Sequence, residues 1–136
     1  MSRRSLNSPT YHVPIQGFSQ IVAAPARGQF LFVSGLTARE ADGKIVCVGD
    51  LEGQARQVLR SMHSILAHAD ASLDDVVQIR TYVRDLDGWP SVEKVLREFF
   101  TEPWPASTIV QIVRLYDERQ LIEMEAVALV TNSEES

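Results

Sequence analysis

Two glutamates, Glu123 and Glu125, stand two residues apart in the run Leu121-Ile122-Glu123-Met124-Glu125-Ala126-Val127-Ala128. In a strand they share one face. A carboxylate turned inward between apolar strand residues resists ionisation, because burial disfavours its charge; such a group suits general-base work near neutral pH. On a rim the same Glu123 would be an ordinary solvated side chain. Two neighbouring carboxylates can share a proton, although Glu125 reads more readily as structural or interfacial. A third carboxylate, Glu93, lies four residues before Arg97 at the border of an apolar helical stripe. That spacing suits an ion pair on the helix surface worth roughly 0.2–0.5 kcal/mol. The sharper reading makes Glu93 a second pocket carboxylate. Two hydroxyls, Ser107 and Thr108, follow Pro103-Trp104-Pro105-Ala106.

Other chemistries have less behind them. The three histidines (His12, His63, His68) show no ligand spacing, so no metal site is expected, and no organic cofactor is implied. Cys47 is the single cysteine and cannot form an intrachain disulfide, which points to a reducing, cytoplasmic setting. The N-terminal segment carries Arg3 and Arg4 but no apolar core of a secretory signal. No apolar run reaches membrane-spanning length, so no membrane partner is expected. A net charge of −5 with scattered basic residues argues against nucleic-acid binding, which needs a concentrated positive patch.

The elements that must position these groups fit one domain in a chain of 136 residues. Residues 1–15 read as a flexible arm, 16–131 as the domain and 132–136 as a polar tail. Phe18 to Ala24 and Gln29 to Ser34 read as two strands of a hairpin joined by the Pro-Ala-Arg-Gly turn at 25–28, and Ile45 to Val48 as a short strand. A helix begins after Asp50, its N-cap, with an apolar stripe of Leu51, Ala55, Val58, Leu59, Met62, Ile65, Leu66 and Ala69. Val76 to Arg84 alternates as a strand, with Val77, Ile79, Thr81 and Val83 on one face. A second helix spans about Pro90 to Thr101 and buries Val92, Val95, Leu96, Phe99 and Phe100. Two closing strands cover about Ser107 to Val113 and Leu121 to Val130. The order predicts an α+β domain, a single mixed sheet with both helices packed on one face. Ile122, Met124, Ala126, Ala128 and Val130 are assigned to the helix side. The opposite face is half apolar, and self-association is its natural remedy.

Several of these segments together resemble the Rid family, the reactive-intermediate (imine and enamine) deaminases, also called endoribonuclease L-PSP-like proteins. They are Phe30-Leu31-Phe32-Val33-Ser34-Gly35, Asp85-Leu86-Asp87 ahead of Phe99-Phe100, Pro103 to Thr108, and Ile122 to Ala128. The resemblance runs from about Gly17 to Val130. It implies the chorismate-mutase-like Rid fold and a homotrimer with a small-molecule ligand in the clefts between subunits. By position it makes Glu123 the catalytic residue that activates water. It places Phe18, Ser34, Gly35, Glu93, Ser107, Thr108 and Ile109 around the substrate. Family enzymes carry an arginine after Pro-Ala to grip a substrate carboxylate; here that residue is Ser107. Phe18 stands where many members have a tyrosine, Glu93 where many have an asparagine, and Ile109 where a cysteine is frequent. The implied activity is water addition to an imine, enamine or related C=N compound, with poor action on 2-imino acids unless another arginine, such as Arg114 or Arg119, supplies the missing cation. The alternative is a non-catalytic ligand-binding or regulatory trimer. A cleft holding Glu93 and Glu123 without an arginine would be acidic and would favour neutral or cationic ligands.

Overall fold

The structure is a computed structural model that describes residues 3–12, 17–25 and 27–131. The remaining positions, including the expected domain start at 16, Ala26 of the expected turn and the polar tail 132–136, lie outside the described residues. Strands β1 (Arg4–Leu6) and β2 (Ile21–Ala23) form a small antiparallel ribbon. Strands β3 (Gln29–Leu36), β4 (Val76–Val83), β5 (Ala106–Gln111) and β6 (Ile122–Val130) form a mixed sheet in the order β3-β6-β4-β5, with β4 and β5 parallel. Helices α1 (Leu51–His68) and α2 (Trp89–Phe99) cover one face of it. The α+β arrangement is the one the pattern of elements predicted.

The helices start where their first-turn residues allow. The Asp50 side chain accepts a hydrogen bond from the Gly53 amide at 3.0 Å, and Pro90 sits in the first turn of α2. Ala55, Val58, Leu59, Met62 and Leu66 of α1 meet Val92 and Val95 of α2 and Ile79, Val83, Ile122, Met124, Ala126 and Ala128 of the sheet in one core. Ile65, assigned to the same stripe, is 46% exposed, because it lies at the edge of the buried arc.

Four local expectations fail, each for a tertiary reason. The segment before Ala24 does not pair with β3, whose partner is β6; β2 pairs with β1 instead. Residues 4–6, read as part of a flexible arm, are therefore in a strand, and Arg3 donates to the carbonyls of Val76 (2.5 Å) and Pro103 (2.9 Å). The 45–48 strand reduces to a single bridge between Arg39 and Ile45. Finally, a register shift between Val76 and Gln78 puts Val76 in the core in place of Val77, after which the alternation holds.

A buried glutamine ties α1 to the loop that leads into β6. Gln54 is fully buried and lies among the apolar residues of the stripe. Its Nε2 donates to the carbonyls of Arg119 (2.8 Å) and Val46 (3.3 Å), and its Oε1 accepts from the Leu121 amide (2.8 Å). Gln120, also buried, accepts from the Asp117 amide and donates to Thr37. Truncating Gln54 to alanine would remove the side-chain partner of three backbone groups. The expected loss is about 3 kcal/mol in urea unfolding, and a loss within experimental error would show that these groups find other partners.

Candidate functional site

Strand register divides the candidate residues between the two faces of the sheet. Ser107 is opposite Ile79 and Ile109 opposite Thr81, both buried on the helix side. Glu123 is opposite Tyr82 and Glu125 opposite Arg80, on the uncovered side. Thr108, next to Arg80, belongs to the uncovered side as well. Within one chain, therefore, Glu123 and Ser107 lie on opposite faces, with β4 between their strands.

On the helix side a pocket of about 110 Å³ opens between β5, α2 and the 17–18 segment. Phe18, Ile79, Leu96, Phe100, Trp104 and Ile109 supply apolar walls; Ser107, Glu93, Arg97 and Trp89 supply polar groups. Phe18 is brought there by its neighbour. Ser19 is buried, its amide donates to the Pro105 carbonyl (3.2 Å) and its hydroxyl to the Trp104 carbonyl (2.5 Å). Nothing in a polar N-terminal stretch marks Ser19 for this role. Trp104 both lines this pocket and packs against the core.

Glu93 belongs both to the lining of the helix-side pocket and to an ion pair along α2. It lines the pocket, and its Oε1 accepts from Arg97 Nη2 at 2.5 Å while its Oε2 accepts from Trp89 Nε1 at 3.2 Å. Within one chain the single carboxylate of this pocket is paired with a guanidinium, and Glu123 is not among its lining residues. The cation beside Ser107 is neither Arg114 nor Arg119: Arg119 is engaged by Asp117 through two short contacts (2.8 and 2.9 Å), which hold the Asp117 carboxyl well below the usual carboxylate range. Arg97 was visible in the sequence only as the partner of Glu93.

On the uncovered face, Glu123 lies against the backbone of Gly35. A Cβ added at Gly35 would stand 2.5 Å from Glu123 Oε2 and 2.8 Å from its Cδ, closer than real contacts allow. Ser34 is exposed alongside. Glu123 is half-buried and faces away from the core, on the side that strand alternation gives it. Next to it the Tyr82 hydroxyl donates to Glu125 Oε1, a bond that raises the phenol above its ordinary range, and Arg80 stands 3.9 Å from the same carboxylate. Glu125 is thus held by its neighbours, in keeping with a structural role. Phe30 (53% exposed) and Phe32 (78% exposed) lie on this face, where no element of the described residues covers them. Among the described residues no group of His, Cys, Asp and Glu could hold a metal ion, and no helix is long and apolar enough to cross a membrane.

The Ribonuc_L-PSP family, described as Endoribonuclease L-PSP, matches residues 10–130. The chain belongs to the Rid family. This Rid protein is 36% identical over 115 residues to a RutC family protein of Pyrococcus abyssi, covering 85% of this chain and 87% of that one. It is also 36% identical over 109 residues to the 3-aminoacrylate deaminase RutC of Acinetobacter baylyi, covering 80% and 86%. Among solved structures, YyfB of the conserved Rid protein family from Yersinia pestis superimposes with a TM-score of 0.84 at 31% identity, over 96% of this chain and 100% of that one.

Proposed function

We propose that this Rid protein is a small-molecule hydrolase of the deaminase type, adding water to the C=N bond of an imine, of the imine tautomer of an enamine, or of a related compound. Its site is completed between copies of the chain in a homotrimer, where Glu123, Ser34 and Gly35 of one copy face the Ser107 pocket of the next. The observation that carries this reading is the fit between Gly35 and Glu123. The backbone has no side chain where the carboxylate lies, so the carboxylate fits against it on a face that the described residues leave open to another copy. The name of the Acinetobacter relative, a 3-aminoacrylate deaminase, supports the reaction class.

In this mechanism Glu123 takes a proton from water as the water oxygen bonds to the imine carbon and the C=N π electrons move to nitrogen. The proton passes to the nitrogen to give a carbinolamine. The carbinol O–H proton is then taken by Glu123 and delivered to the nitrogen as the C–O bond becomes C=O and the C–N bond breaks, so that a carbonyl compound and ammonia leave. Phe18, Ile109 and the aromatic walls seat the apolar part of the substrate. Ser107 and Thr108 shape the adjoining backbone. Because Ser107 cannot supply a positive charge, small 2-imino acids are poor substrates and uncharged imines better ones.

A panel of freshly generated imines, with carbonyl product and ammonia measured, tests this. Turnover should appear with uncharged members and be weak with small 2-imino acids. The variant Gly35→Ala, which pushes the Glu123 carboxylate aside, should lower turnover roughly tenfold with little change in melting temperature. Ordinary turnover of small 2-imino acids would overturn the altered specificity. No turnover of any imine, together with thermal stabilisation by a metabolite, would favour the non-catalytic ligand-binding or regulatory trimer.

A further inference from the structure

If the Ser107 pocket is the ligand half of the Rid site, as proposed above, its charge is set by two residues of α2. We propose that Arg97 is the carboxylate-binding group of this pocket and that Glu93 holds it in check, so that the folded protein favours uncharged ligands.

Trp89, Glu93 and Arg97 recur every four residues and lie along one ridge of α2, and all three line the pocket. Among the described lining residues Arg97 is the one cation and Glu93 the one acid. The Glu93 carboxylate is gripped from both sides, by the Trp89 indole N–H and by Arg97 Nη2, which fixes it where it occupies one donor of the guanidinium. The remaining guanidinium nitrogens have no partner among the described residues. The two side chains are 40% and 43% exposed, so a ligand can reach the pair from solvent. A ligand carboxylate must compete with a carboxylate already tethered one helical turn away and is repelled by it. A neutral ligand meets neither penalty. A guanidinium released from its internal partner presents the planar fork that suits a carboxylate. Position 107 then needs no arginine for the pocket to acquire anion affinity; it needs only the loss of the charge on Glu93.

Benzoate and benzamide have the same ring and differ in charge, and Trp89 and Trp104 in the pocket walls report binding by fluorescence. The full-length protein should bind benzamide at least as well as benzoate. Glu93→Gln should tighten benzoate binding about tenfold, the scale of one charge-assisted contact, while benzamide stays within about twofold. Adding Arg97→Met to Glu93→Gln should erase the gain. The proposal is overturned if Glu93→Gln leaves benzoate unchanged, if the gain survives removal of Arg97, or if neither compound binds any of the three proteins. Imine turnover by the unmodified protein is scored separately. A benzoate gain without turnover would leave this inference standing and remove the hydrolase reading.

Discussion

Glu123→Gln should lower kcat for imine hydrolysis by a factor of about 10²–10⁴, the range typical of a lost general base. The substitution keeps the shape of the side chain and removes only its capacity to take a proton. It should leave the fold intact. Glu123 is on the uncovered face of the sheet, outside the core, and the space beside Gly35 accommodates an amide as readily as a carboxylate. KM should change little, because the pocket residues proposed to seat the apolar part of the ligand, Phe18, Ser107 and Ile109 among them, lie on the other face of the sheet. Unchanged kcat in a protein that melts at the same temperature would remove Glu123 from the chemistry. The neighbouring Glu125→Gln makes a control with the opposite expectation. That residue is already held by Tyr82 and Arg80, so its loss should disturb the sheet face more than the reaction.

The second large effect is a gain. Ser107→Arg should raise hydrolysis of small 2-imino acids about ten- to hundredfold, since a charge-assisted hydrogen bond contributes roughly 1.5–3 kcal/mol. Position 107 points into the pocket from β5, opposite Ile79, so a long side chain there projects toward α2. Glu93 would compete for the new guanidinium as it now does for Arg97. The gain should therefore be larger when Ser107→Arg is combined with Glu93→Gln. The measurement is kcat/KM on a small 2-imino acid compared with an uncharged imine. If neither the single nor the double variant gains activity, a cation at position 107 is not what limits action on 2-imino acids.

The helices and the core strands were legible because burial imposes a period. Leu51 to Leu66 repeats at three- and four-residue steps and Ile122 to Ala128 at two, so each element announces its buried side without knowledge of its partner. The resemblance in Pro103 to Thr108 and Ile122 to Ala128 carried the family. Short polar segments carry no such period. The Arg4–Leu6 strand, the docking of Phe18 through Ser19, and the Gln54 link between α1 and the loop before β6 are contacts between residues far apart in the chain. No local pattern encodes them. Gln54 was hidden for a further reason: a polar residue inside an apolar stripe is buried only when distant backbone groups satisfy it.

The candidate site divides along the same line. Alternation along β6 was enough to place Glu123 and Glu125 together on the face away from the helices. It could not say that Gly35 leaves room for one of them, because that depends on how β3 bends beside β6. Nor could it relate Glu123 to Ser107. Which side of a sheet a residue faces relative to one on another strand depends on register, and register is a tertiary quantity. The i,i+4 spacing of Glu93 and Arg97 announced an ion pair, since helix geometry alone brings those side chains together. That this pair lines the pocket beside Ser107 was decided only by the packing of α2 against the sheet, because helical periodicity shows which residues are neighbours and not what they surround.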